Sequence, residues 1–195
     1  MSDKQNILYV ILDKWADWEY AFAAGAVAYL GEDKYRNIVV STDTNIKQSM
    51  CGLRCLPDCD LENVPTKYAA VVLIGGLSWR GGDAEKVIPL VKQCLEKGKP
   101  LGAICDACRF LAGMGVLNNV KHTGNGASEL NEAGDGYKNP QGFVAEQAVR
   151  DKGIITANGT AALEFARELC LELGINEKQI ETWYTFYKRG FFASA

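Results

Sequence analysis

The chain has 195 residues, enough to bury a continuous core and suited to one domain spanning residues 1–195. With 48% hydrophobic, 23% charged and 10% aromatic residues, it reads as a soluble globular protein rather than a disordered, fibrous or membrane one. Its net charge of -3 comes from 21 basic and 24 acidic residues interspersed along the chain, with no basic stripe to follow a phosphate backbone, so no nucleic-acid partner is expected.

The opening residues Ser2 to Asn6 are polar, and the apolar run Ile7 to Leu12 stops at Asp13. That run is too short for a signal-peptide core or a membrane span, so a cytoplasmic location without a membrane partner is expected. The same run suits a strand buried on both faces of a parallel sheet. Asp17 is placed to cap a helix through Glu19 to Leu30, with Gly31 as its stop. Further apolar runs follow at Ile38–Val40, Ala69–Ile74 and Leu101–Ile104.

After Gly81-Gly82-Asp83 the spacing of Val87, Val91 and Leu95 predicts a helix closed by Gly98-Lys99-Pro100. Residues 143–150 and 154–157, joined by Asp151-Lys152-Gly153, read as a hairpin at a sheet edge. Ala162, Phe165, Ala166, Leu169, Cys170 and Leu173 lie at helical spacing before Gly174. A last helix starts near Asn176, with Gln179 placed for a capping box, and carries Ile180, Trp183, Tyr184 and Tyr187 on one face. Strands alternating with helices predict an α/β fold: a doubly wound, mostly parallel sheet with helices on both faces.

The chemistry centres on Gly102-Ala103-Ile104-Cys105-Asp106-Ala107-Cys108, where a short buried strand passes directly into a helix. A nucleophile at such an elbow needs small neighbours two places to either side, and Ala103 and Ala107 supply them. There the helix dipole and free amides favour a thiolate and can hold a developing oxyanion. The plainer reading makes Cys105 a small buried hydrophobe, as most free cysteines are, and the strict G-x-S-x-G form is not met.

Seven cysteines, an odd number in mostly apolar settings, fit reduced thiols rather than a disulfide framework. Cys51, Cys55 and Cys59 recur at fourfold spacing, but Gly52 and Pro57 interrupt any helix there, so neither zinc nor another cofactor is expected. Cys108 reads as a packed small residue, with a resolving thiol as the minor alternative. Gly75-Gly76 and Gly81-Gly82 lack the rest of any phosphate-loop motif. Trp79, just beyond, suits either the mouth of a pocket or an exposed subunit contact. The aromatic tail, Tyr184 to Phe192, reads as core or subunit packing.

These pieces together resemble the ThiJ/PfpI superfamily, with its flavodoxin-like, class I glutamine-amidotransferase-like fold. The resemblance rests on Glu19 early in the first helix, Gly75-Gly76 after a strand, Ala103-Ile104-Cys105 with Leu111-Ala112, and Ile155-Thr156-Ala157-Asn158-Gly159 leading into Glu164-Phe165-Ala166. It implies Cys105 as nucleophile, Glu19 as a carboxyl group bonded to its sulfur, and the amides of Gly76 and Asp106 as an oxyanion pocket. It also implies a homodimer.

The intracellular cysteine peptidase and deglycase-like branch fits best, acting on a peptide or small-molecule carbonyl. Alternatives are an oxidation sensor at Cys105 and a holdase. Many members carry histidine where Asp106 stands, so a Cys–His pair would need His122, the sole histidine. Some relatives place a histidine at the position of Asn125 instead. Asp106 would then orient His122 or bind a polar substrate group. The late His-x-Glu pair of the glutaminases is missing, since no histidine follows His122.

Overall fold

The computed structural model describes residues 4–191, so Phe192 of the aromatic tail lies outside the described residues. Along β1 (Gln5–Val10) and its continuation, Ile7, Tyr9 and Ile11 enter one hydrophobic cluster and Leu8, Val10 and Leu12 the other. A strand apolar on both faces has to be covered on both.

The chain continues through α1 (Asp17–Leu30), β2 (Tyr35–Ser41), a small hairpin of β3 (Lys47–Gln48) and β4 (Arg54–Cys55), and β5 (Cys59–Asp60). Next come β6 (Tyr68–Leu73), α2 (Gly82–Glu85), α3 (Ile88–Glu96), β7 (Leu101–Ile104), α4 (Asp106–Gly113) and α5 (Ala127–Asn131). The edge hairpin β8 (Ala148–Asp151) and β9 (Ile154–Ala157) then leads to α6 (Ala162–Glu172) and α7 (Glu177–Arg189). The seven-stranded sheet has the order β5-β2-β1-β6-β7-β9-β8, parallel except for the β8–β9 pair. This is the doubly wound, flavodoxin-like fold that the sequence predicts.

Helices α1, α6 and α7 cover one face, and α3 and α4 the other. Phe165 of α6 lies fully buried against β7, where a side chain on Gly102 would come within 3.0 Å of its ring. Such a ring contributes about 3–5 kcal/mol relative to alanine. Because β2 and β6 flank β1 on opposite sides, the chain reverses direction across the sheet beside β1. The crevice at the carboxyl ends of β1, β6 and β7 is therefore the place where a fold of this type builds its site.

Three local expectations are corrected. Ala16, not Asp17, is the residue preceding the first helical turn, and Asp17 instead accepts a hydrogen bond from the Ser49 hydroxyl at 2.7 Å. The helix expected after Asp83 and through Leu95 starts earlier, at Gly82, and breaks in two, because Pro89 has no N–H to offer the carbonyl of Glu85, where α2 ends. Consequently Cys94 faces the core and Leu95 is left about a third exposed. At α7, Asn176 Oδ1 does accept from the Gln179 N–H, and Ile180 and Trp183 are buried, but Tyr187 is half-exposed and lies against Trp183 at 5.0 Å. Among the described residues no helix is long and apolar enough to cross a membrane.

Candidate functional site

Strand β7 ends at Ile104 and α4 begins at Asp106, so Cys105 alone makes the turn between them. Its φ of 61° and ψ of -131° are values that L residues rarely adopt. Holding them costs about 1–3 kcal/mol, which the surroundings must offset. Two backbone hydrogen bonds do the holding: the Cys105 N–H donates to Ala157 O, and Cys105 O accepts from the Cys108 N–H, each at 2.9 Å. Ala103 and Ala107 are both fully buried, which explains the need for small residues there.

The elbow's amides work against burial at the thiol. Burial, followed by the charge of Glu19, pushes Cys105 up to about 11, against the opposing pull of Asn125 and the Asp106 amide. Removal from water thus opposes the thiolate that the helix N-terminus favours.

Glu19, in the first turn of α1, is fully buried rather than solvated. Its Oε2 accepts from the Gly75 N–H at 2.9 Å. Its Oε1 is buried without a conventional hydrogen-bond partner and lies on the sulfur side of the pocket. A Cβ placed on Gly159 would stand 3.0 Å from Cys105 Sγ and 3.3 Å from that oxygen. Burial pushes Glu19 up to about 8, opposed by the Gly75 N–H and the Cys105 thiol. At neutral pH the carboxyl group keeps its proton, and ionising either acid makes the other harder to ionise.

Glycine is required where these groups converge. A side chain on Gly75 would fall 2.6 Å from Cys105 Cβ and closer still to Glu19 Oε2. Gly76 has φ 143° and passes so near the Lys14 carbonyl that a Cβ does not fit.

The remaining neighbours come from loops. Asn125 Nδ2 lies 3.4 Å from Cys105 Sγ and 3.4 Å from Asp106 Oδ1, while its Oδ1 accepts from the Gly159 N–H at 2.9 Å. The Trp18 indole donates to Gly159 O at 3.2 Å, tying that loop to α1 from outside. Asp106 is bound by Arg80, through Nε to Oδ2 at 2.8 Å and Nη2 to Oδ1 at 2.9 Å. Asn125 and Arg80 were missed as site residues; the one available signal was that Asn125 occupies a position where relatives carry histidine.

Two predicted residues lie elsewhere. His122 is fully buried, with Nδ1 facing Val120 O at 2.9 Å and Nε2 facing the Tyr137 hydroxyl at 2.8 Å. A carbonyl only accepts, so Nδ1 carries the hydrogen and both ring nitrogens are committed away from Cys105. Burial pulls its pKa down, leaving a neutral ring. Trp79 lines no pocket mouth: it is buried, donates to Ile74 O at 2.6 Å and packs on Phe110. Cys108 is buried, its thiol within 3.2 Å of Ala103 O and 3.3 Å of Ala157 O. All seven cysteines are free thiols.

Comparison with known proteins gives concordant matches. The profile described as "DJ-1/PfpI family" matches residues 5–172. An uncharacterized protease of Bacillus subtilis (strain 168), YdeA, is 40% identical over 169 residues, covering 87% of this chain and 83% of its own. The structure of a DJ-1 superfamily protein from Agrobacterium tumefaciens superposes with a TM-score of 0.85 at 33% identity, over 94% of this chain and 97% of that one. A thiJ/pfpI family protein from Bacillus anthracis superposes with a TM-score of 0.86 at 28% identity, covering 96% and 92%.

Proposed function

Because the chain belongs to the DJ-1/PfpI family, we propose that it is a cysteine-dependent hydrolase in which Cys105 attacks the carbonyl of a peptide or of an aldehyde-derived adduct. The observation that carries this reading is the strained elbow at Cys105 with the buried carboxyl group of Glu19 beside its sulfur. A non-glycine residue held at φ 61° is maintained against its own preference, and reactive groups are commonly found in such positions.

In the proposed reaction, the ionised fraction of Glu19, which grows as pH approaches about 8, takes the thiol proton as the sulfur–carbon bond forms, and the carbonyl π electrons move onto oxygen. The amides of Gly76 and Asp106 donate to that oxyanion. With a peptide substrate, Glu19 returns the proton to the leaving nitrogen as the carbon–nitrogen bond breaks, and water then releases the acyl group from sulfur. Relatives described as proteases support a hydrolytic reading. Substitution Cys105→Ala is expected to abolish turnover of dipeptide amides and of methylglyoxal adducts. Retention of full turnover would exclude the mechanism.

One observation favours a second reading, an oxidation sensor. With both acids raised by burial, Glu19 is a donor at neutral pH, suited to an oxygen carried on sulfur rather than to accepting a proton. Two peroxide molecules would deliver two oxygen atoms to the thiol and leave as two waters, giving a sulfinic acid. Mass spectrometry after mild peroxide should then place the added mass on Cys105, and uniform oxidation of the seven cysteines would count against this reading.

A further inference from the structure

Asp106 is the unexplained charge of the site. It follows Cys105 directly, is nearly buried, and its negative charge opposes ionisation of both Cys105 and Glu19. A lone carboxylate in that position would be costly. Arg80, at the end of the 3-10 turn Leu77–Arg80, meets it with a two-pronged ion pair and extends to Glu129 Oε1 at 3.4 Å. Asp106 Oδ1 also faces Asn125 Nδ2, the same nitrogen that faces the sulfur. The Gly159 N–H occupies the oxygen end of the Asn125 side chain. The amide is thereby oriented from both ends, nitrogen towards Cys105.

We propose that Arg80 is a positioning residue for Cys105: it neutralises Asp106 beside the sulfur and fixes the Asp106–Asn125 relay that turns an amide N–H towards the thiol. This rests on Cys105 being the reactive atom, and it names what tunes that atom. In a site where Asp106 stands where many family members carry a histidine, Arg80 supplies the positive charge from outside the elbow. Its side chain is about half-exposed, so replacing it opens no hole in the core.

The test reads the sulfur alone. Alkylation of Cys105 by iodoacetamide is followed by peptide mass spectrometry from pH 6.5 to 10 in wild type, Arg80→Gln, Asp106→Asn and the double variant. Loss of Arg80 leaves a like charge uncompensated, so the Arg80→Gln profile should move up by about one pH unit, with rates about tenfold lower at pH 7.5. The double variant should recover to within about threefold of wild type, because the charge that needed compensation is gone. Arg80→Lys, which keeps the charge but not the fork, should fall between wild type and Arg80→Gln.

An Arg80→Gln profile that superimposes on wild type, or a double variant as slow as Arg80→Gln, would overturn the assignment. A merely structural arginine would not be rescued by a second substitution. Iodoacetamide requires no substrate, so this outcome stands apart from any failure to find hydrolytic turnover.

Discussion

Glu19→Gln isolates the energetic consequence of a buried acid whose proton is retained to about pH 8. In the unfolded chain this carboxyl group ionises near its ordinary value of 4.5. Between those two values the unfolded state loses the proton and the folded state keeps it, so the stability that Glu19 contributes is fully present below 4.5 and is lost as pH rises through about 8. At about 1.4 kcal/mol for each pH unit crossed, the loss is on the order of 3–5 kcal/mol. Because the side chain is fully buried, solvent screening does not reduce this figure much.

Glutamine has nearly the same shape, can still accept from the Gly75 N–H, and does not titrate. Urea unfolding of both proteins at whole pH units from 5 to 9 should show the variant gaining on wild type up to about pH 8 and levelling off above it, by several kcal/mol over the range. Taking the difference removes every group that is not coupled to Glu19. Curves that stay parallel from pH 5 to 9 would mean that Glu19 ionises in the folded protein at an ordinary pH, and the site as described would be wrong.

Gly75→Ala should destabilise by about 1–3 kcal/mol in urea unfolding, because its Cβ would press on Glu19 Oε2 and on Cys105 Cβ 2.6 Å away. His122→Gln should leave the alkylation rate of Cys105 within about twofold while costing about 1–3 kcal/mol, since it breaks a buried pair of hydrogen bonds. His122 has its pKa lowered by burial, so its contribution is present above about 6.5 and is lost as pH falls below that. Acid unfolding of wild type and variant, compared below pH 6.5, should therefore converge. Phe165→Ala should cost about 3–5 kcal/mol in thermal or urea unfolding, for the ring packed against Gly102.

The strands were legible in the sequence because a strand buried on both faces leaves a continuous apolar run, as from Ile7 to Leu12. The elbow was legible for a related reason: Ala103 and Ala107 mark the crowding that any residue at position 105 must tolerate. Arg80 and Asn125 were not legible. They reach the site across loops, 26 residues before Asp106 and 20 after Cys105, and no local pattern encodes such a meeting.

Trp79 was misread because a tryptophan in a glycine-rich turn gives no hint of which way the turn rotates. Here the indole turns inward to Ile74 O and Leu77 faces solvent instead. His122 attracted a catalytic role by being the sole histidine, yet its commitments to Val120 and Tyr137 follow from a loop whose path the sequence does not reveal. The helix position that favours a thiolate at Cys105 can be read from sequence, whereas the burial that opposes it cannot.

The sulfur at position 105 is separated from a clamped main chain by one rotatable bond, and that main chain is anchored by Ala157 on one side and by the first turn of α4 on the other. Aim is therefore a property of the scaffold, and recognition a property of the surrounding loops. Replacements elsewhere along the loops that carry Asn125 and Gly159, though not at those two residues, would change which molecules arrive without redirecting the atom they meet, so this architecture can acquire new ligands while its reactive centre stays still.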